Sequence, residues 1–313
     1  MGTETGLGKP EAQTPIRDDR GTATQSTAAF RPLEQRKERI SVCESPQEVG
    51  QRAAEKLVEL LDSNVNKNGR ALLVLACAPS QHETWDSLIP MLQNRQDLLE
   101  RLTFINMDEY VGIDSEHAES FNGNLQRRFF DTLGSRVSPD KVHLIRGQAD
   151  AEGELKRISS IIKSFSPESI VVMGGFGTNG HLAFDDHPIT GPLQDGETPV
   201  VTVRQIAEVA RQQQVTDGCF ASLDEVPTHC VTLTCDFFRR WARGGIVLAA
   251  KGSHKTDAAA SLLQDPNPES PVTLLHHSLE GSNDMPEAPW VFLDSEAGRN
   301  VRGHLFDFSQ ASF

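Results

Sequence analysis

Short, nearly unbroken apolar runs separated by helical patterns constrain this chain more than any other feature. Ala71-Leu72-Leu73-Val74-Leu75 contains no polar side chain. Neither face of such a strand can meet water, and strands covered on both faces belong to parallel sheets sandwiched between helices. Leu102-Thr103-Phe104-Ile105, Ile170-Val171-Val172-Met173 and Gly245-Ile246-Val247-Leu248-Ala249 have the same character. So do Val200-Val201-Thr202-Val203, Val231-Thr232-Leu233-Thr234 and Trp290-Val291-Phe292-Leu293. Helical patterns lie between most of them, over 83–98, 118–133, 150–165, 236–243 and 253–263. A further helix is announced by Ser45-Pro46-Gln47-Glu48, which reads as a cap, a proline in the first turn and an acidic start. Its apolar stripe is Ala53, Ala54, Leu57, Val58, Leu60 and Leu61. Such alternation predicts a doubly wound α/β fold. Its sheet is expected to be mostly parallel and Rossmann-like, with helices on both faces.

Residues 1–38 are rich in Thr, Gly, Gln, Pro and charge without a sustained period, and are expected to form a disordered tail. Order is expected from the short strand Arg39-Ile40-Ser41-Val42, giving one α/β domain over 39–300 and a C-terminal tail over 301–313. The stretches 185–197 and 277–288 read as loops. No apolar run approaches the roughly 20 residues of a membrane span, and no basic segment followed by an apolar one marks a secretory signal. The N-terminal Met1-Gly2 lacks the Ser or Thr at position 6 that myristoylation wants. Five widely spaced cysteines without a CxxC favour neither zinc nor a disulfide framework, and point to the cytoplasm. A net charge of −14 argues against nucleic acid and anionic membranes as partners. An anionic substrate would then need a local cluster of Lys, Arg or backbone N–H groups.

In such folds ligands bind at the carboxyl ends of the strands, and four strand-end loops carry candidate chemistry. After Ile170–Met173, Gly174, Gly175, Gly177 and Gly180 permit close backbone approach to a ligand, around His181. Asp185 and Asp186 follow, near enough in sequence to orient its imidazole, although a lone histidine in a glycine-rich turn is also a common structural feature. After Leu102–Ile105, Asp108 and Glu109 are adjacent carboxylates: a general base if burial raises one pKa, or a capping turn. After Ala71–Leu75, Ala76-Cys77-Ala78-Pro79-Ser80-Gln81 is either an anion seat at a helix start or an ordinary turn capped by Ser80. After Gly245–Ala249, Lys255 in Gly252-Ser253-His254-Lys255 is placed to reach a phosphate or is simply solvated.

Three stretches together resemble one family. Asn106-Met107-Asp108-Glu109-Tyr110-Val111-Gly112, then His117-x-x-Ser120-Phe121, then Gly174-Gly175-x-Gly177-x-x-Gly180-His181-x-Ala183-Phe184 are similar to glucosamine-6-phosphate deaminases, a group that includes 6-phosphogluconolactonases. The likeness continues through Val226-Pro227-Thr228-His229, Gly252-Ser253-His254-Lys255 and Phe292-Leu293-Asp294, and covers about 39–297. Asp-Glu-Tyr, where lactonases tend to have Asp-Glu-Arg, favours the deaminase side. The resemblance implies a deaminating aldose–ketose isomerase of a hexosamine 6-phosphate that needs no metal or organic cofactor. It implies Asp108 as the base between C1 and C2, and His181 as the group that opens the pyranose ring. Lys255 and Arg211 would hold the phosphate with Ser80 and Gln81, beside the backbone of Gly175 and Gly177.

The chain also departs from the family's pattern. Asn179 stands where well-studied deaminases have Asp, and Asp186 where relatives have Glu; both enter the expected catalytic set with Asp108 and His181. Pro79-Ser80-Gln81-His82 replaces a Gly-Gly-Thr-type phosphate turn. Two alternatives therefore stand beside the deaminase: a sugar-lactone hydrolase in which His181 activates water, and a catalytically silent phosphosugar-binding protein. Partners are otherwise limited to the sugar phosphate and a second copy of the chain in a homo-oligomer.

Overall fold

The computed structural model describes residues 29–185, 199–265, 267, 269–279 and 284–305. Nine strands fall in chain order: β1 (Ile40–Val42), β2 (Ala71–Leu75), β3 (Leu102–Asn106), β4 (Asp108–Tyr110), β5 (Ile170–Gly174), β6 (Val201–Gln205), β7 (His229–Leu233), β8 (Gly245–Ala250) and β9 (Trp290–Leu293). Six of them form a sheet in the order β1-β9-β8-β5-β2-β3, every pair parallel.

Alternate residues of the central strands enter two separate apolar layers. Ala71, Leu73 and Leu75 join Leu57, Leu61, Leu88 and Phe104 on one face, while Leu72 and Val74 join Ile158, Ile162 and Val172 on the other. The period of two along a strand is thus occupied on both sides, which is why these runs carry almost no polar residue. Helix Pro46–Asn68 covers the first face. Ser45 caps it by accepting the N–H of Glu48 at 3.2 Å, and Gly69 ends it at φ 76°. Helix Ala151–Lys163 supplies Ile158 and Ile162 to the second face.

Two sequence expectations are corrected. β6 and β7 do not extend the parallel sheet; with β4 they form a separate antiparallel sheet in the order β4-β7-β6. The chain changes sheets at Met107, whose N–H reaches Leu75 and whose carbonyl accepts from Leu233. Buried Asn106 braces this step, donating to the carbonyl of Asp108 and accepting the N–H of Ile145. The tails are also shorter than expected. Phe30 bridges His277, helix Leu33–Lys37 docks the buried Arg36 against the carbonyls of Leu262 and Gln264, and helix Arg299–Leu305 runs into the expected C-terminal tail. The expected tail over 1–28 and 306–313, and most of the loop over 185–197, lie outside the described residues. No helix among the described residues is long and apolar enough to cross a membrane.

The order of the parallel sheet places one functional landmark. From β2 the chain moves outward to β3, then returns to lay β5 on the other side of β2. The loops leaving β2 and β5 therefore diverge, opening a crevice at their carboxyl ends.

Candidate active site at the switch point of the sheet

That crevice is a cleft open to solvent, with about 490 Å³ of space between its walls when the open mouth is included. Ala76–Ala78, Ser80 and Gln81 line it from the β2 loop, Gly175–Gly177, His181, Ala183 and Phe184 from the β5 loop. Asp108 enters from β4, Lys255 from the turn after β8, and Gln213 and Gln214 from helix Glu208–Thr216. Among the described residues no group of three or more His, Cys, Asp and Glu is placed to hold a metal.

Asp108 and Glu109 occupy opposite faces of β4 and have different surroundings. Glu109 is sealed from water and accepts the N–H groups of Tyr110, Phe121 and Asn122 and the hydroxyl of Ser120, at 2.7–3.2 Å. It thereby anchors the start of helix Phe121–Leu125, so the capping alternative applies to Glu109. Asp108 is buried too, yet no side-chain hydrogen bond satisfies its carboxyl among the described residues, and it faces the cleft. Burial, followed by the charge of Glu109, raises its pKa well above the ordinary carboxylate range. A carboxyl tuned in that direction suits proton transfer near neutral pH.

His181 lies flat over Gly177, where an added Cβ would stand 2.0 Å from ring atom Cε1. Glycine is required there by contact rather than by φ; Gly180, at φ 82°, is required by conformation. The Asn179 side-chain oxygen lies 2.7 Å from His181 Nδ1. Burial, then the nearby Lys255 ammonium, lowers the imidazole pKa to about 3. Asp185, expected beside His181, is turned elsewhere: it pairs with Arg204 at 3.1 Å and accepts the N–H of Cys235 at 2.8 Å. Asp186 lies outside the described residues. Ala183 is the one non-glycine residue at positive φ among those described, at 53°. It lines the cleft wall beside the histidine.

Lys255 is buried and donates to the carbonyl of Phe176 at 2.9 Å. Burial lowers its pKa to about 8, against an opposing pull from Asp217. Ser80 and Gln81 sit beneath Gly175, with Gln81 Nε2 donating to Ser80 Oγ and to the carbonyl of Ala249. Gln81 Oε1 is buried without a partner among the described residues. An added Cβ on Gly175 would come within 2.9 Å of Gln81 Nε2 and of the Ala249 carbonyl, so this seat depends on glycine as well.

Arg211 is not part of the cleft. Its guanidinium donates to the carbonyls of Leu223 and Val226 and so ties its helix to the following turn. Gln213 and Gln214, two and three residues further along that helix, point inward instead. Gln213 accepts the N–H of Thr178 at 3.0 Å, holding helix and glycine loop together, and Gln214 accepts the Tyr110 hydroxyl at 3.0 Å. The polar tract Arg211-Gln212-Gln213-Gln214 signalled this wall, but a helix start uncertain by one residue rotates each side chain by about 100°. Lys255 is the only Lys or Arg lining the cleft among the described residues. Cys77 also lines it, but burial pushes its thiol well above the ordinary range and leaves it a poor nucleophile.

Fold and cleft together define an α/β protein with a cleft lined by Asp108, His181 and Lys255 at the switch point of its sheet. The sequence profile of the glucosamine-6-phosphate isomerases/6-phosphogluconolactonase family matches residues 44–282. The chain belongs to this family. It is 31% identical over 185 residues to a glucosamine-6-phosphate deaminase of Exiguobacterium, taking in 58% of this chain and 66% of that protein. With the glucosamine-6-phosphate deaminase of Staphylococcus haemolyticus it shares 31% over 209 residues, covering 66% of this chain and 81% of the relative. Solved structures share the fold. A monomeric glucosamine-6-phosphate deaminase superposes with a TM-score of 0.65 at 24% identity, over 84% of this chain and 99% of that one. The 6-phosphogluconolactonase of Trypanosoma brucei superposes with a TM-score of 0.61 at 18% identity, over 87% and 100%.

Proposed function

We propose that the chain is a cytoplasmic deaminase that converts a hexosamine 6-phosphate and water into the ketohexose 6-phosphate and ammonia. The observation that carries this reading is the carboxyl of Asp108: buried, raised in pKa, without a hydrogen-bond partner among the described residues, and facing the same cleft as His181 and Lys255. Hydrolysis of a lactone needs a base for water. Isomerisation needs one that takes a proton from carbon and returns it next door, and an unpartnered carboxyl is suited to that exchange.

In this reading His181 accepts the anomeric hydroxyl proton as the C1–O5 bond opens, and returns it to O5. Asp108 removes the C2 proton of the open-chain aldehyde and delivers it to C1, while O1 gains a proton and the amino nitrogen gives one up. The resulting imine at C2 takes up water and releases ammonia. Lys255, Ser80 and the amides of the β2 and β5 loops hold the phosphate at a distance from the reacting carbons, where binding energy serves orientation. Lys255 would supply the positive charge in this role.

The test is ammonia release from glucosamine 6-phosphate and galactosamine 6-phosphate in parallel, with His181→Ala and Asp108→Asn as controls. Ammonia from either sugar, lost in both variants, is the expected result. Acid release from 6-phosphogluconolactone without ammonia from either sugar would replace this reading with the hydrolase. Saturable sugar-phosphate binding with no product would replace it with a binding protein.

A further inference from the structure

Asn179 and His181 form a closed unit within the glycine loop. The side-chain oxygen of Asn179 accepts the backbone N–H of His181 at 3.2 Å and lies 2.7 Å from its Nδ1. The first contact decides which end of the carboxamide faces the ring, because an NH2 group cannot accept from a backbone N–H. An oxygen 2.7 Å from a ring nitrogen then calls for a proton on that nitrogen, since the other tautomer would set two lone pairs against each other. The loop holds the ring in this pose. Gly177 lies against its face, the N–H of Gly177 reaches the His181 carbonyl at 2.9 Å, and the Gly180 carbonyl accepts from Val272 at 2.8 Å. Nε2, at the other side of the ring, has no hydrogen-bond partner among the described residues, and unlike both ring nitrogens of His276 it is not sealed from the surface of its cavity.

We propose that Asn179 is a positioning residue that locks His181 as the Nδ1–H tautomer and leaves Nε2 as a bare acceptor in the cleft. The catalytic use of that acceptor rests on the deaminase reading; the tautomer itself does not. A carboxylate in the same place would stabilise an imidazolium, whereas a carboxamide adds no charge and directs the proton. Among the described residues the charged and titratable groups sharing the cleft with it are Lys255 from the turn after β8, which disfavours a second positive charge, Asp108 from β4, and the Cys77 thiol after β2, which burial keeps protonated. Asp185 is committed to Arg204 and does not face the ring. His181 therefore rests as a neutral base and becomes a proton donor only after it has taken a proton from the substrate.

The experiment is a two-bond proton–nitrogen correlation spectrum of the full chain labelled with nitrogen-15 at histidine, recorded near neutral pH. His181→Gln identifies the His181 signals by their loss. A protonated Nδ1 and an unprotonated Nε2 are expected, unchanged on titration down to about pH 5, well below the ordinary histidine pKa. An Nε2–H tautomer or an imidazolium at neutral pH in the unaltered chain would overturn the proposal. Asn179→Ala should populate both tautomers, and a spectrum unchanged from the parent would remove Asn179 from the role. Asn179→Asp should bring the titration of His181 up towards about pH 6–7, the range of an unperturbed histidine. On turnover, Asn179→Ala should lower kcat by about 10–100-fold with KM within about twofold, a fraction of what loss of a general acid–base group costs. Absence of ammonia from the unaltered chain would end the deaminase reading and leave the spectra to decide the tautomer.

Discussion

Asp108 and Glu109 are neighbours on β4, both withdrawn from bulk water, and their side chains leave the strand in opposite directions. Behind the strand, Glu109 gathers three backbone N–H groups and a hydroxyl. In front of it, Asp108 meets the cleft with no such bond among the described residues. The rear face builds the molecule and the front face is left unsatisfied, which is how a functional carboxyl is kept reactive at some expense in stability. The same division runs through the sheets. The parallel sheet is apolar on both sides, while the antiparallel one carries β4 into the cleft.

The largest effect that would sharpen this comparison is on turnover. Asp108→Asn should lower kcat by about 10²–10⁴-fold, as removal of a general base does. Its urea midpoint should stay level or rise, because a raised carboxylate pKa marks a charge the fold disfavours. Near-normal ammonia release from this variant would dissolve the distinction between the two faces.

Glu109→Ala should fail differently. It strands three N–H groups that the carboxylate now satisfies, and a loss of about 3–5 kcal/mol is expected, the scale of a broken buried polar network. Chemical denaturation with activity measured on the folded fraction separates the two cases; an unchanged midpoint would show that helix Phe121–Leu125 holds without its anchor.

Gly177→Ala tests the front face without touching a polar group. A methyl 2.0 Å from the His181 ring must displace it, and a misplacement of that order costs about 100-fold in rate. Phosphosugar binding should weaken less than turnover, since Lys255 and Ser80 lie on other loops and the Gly177 backbone is only one of the phosphate contacts. A variant with unaltered kcat would mean that the pose of the imidazole is unimportant.

The smallest expected effect is on pH dependence. Lys255 is lowered to about 8 by burial, so its positive charge is present below that pH and is lost as pH rises through it. KM for the phosphorylated sugar should therefore climb above pH 8, by up to about tenfold for each further unit. Lys255→Arg should abolish that rise, because a guanidinium keeps its charge. A flat KM profile in the parent chain would move the phosphate elsewhere.

Much of this architecture was legible in the residues. Apolar runs such as Ala71–Leu75 announced buried parallel strands, and Ser45-Pro46 announced the long helix, because periodicity and capping are local properties. The glycine loop, Asp108 and Lys255 could be named for the same reason, helped by the family's motifs. What stayed hidden depended on partners distant in sequence. Nothing in Val200–Val203 or Val231–Thr234 states that these strands leave the parallel sheet, since β7 pairs with β4 more than a hundred positions earlier and β6 pairs in turn with β7. Arg211 is named only by the family resemblance, and that Gln213 and Gln214 face the cleft instead depends on the phase of a helix whose boundary the residues alone fix poorly.

The sequence by itself determined the alternation of strands and helices, the glycines at the strand ends and the set of groups able to move protons. Only the tertiary structure decided which of two adjacent carboxyls is satisfied, that Asp185 serves Arg204 instead of His181, and that Asn179 faces the imidazole nitrogen. The physical reason is that burial and hydrogen bonding belong to the space around a group, and that space is assembled from segments the chain keeps far apart.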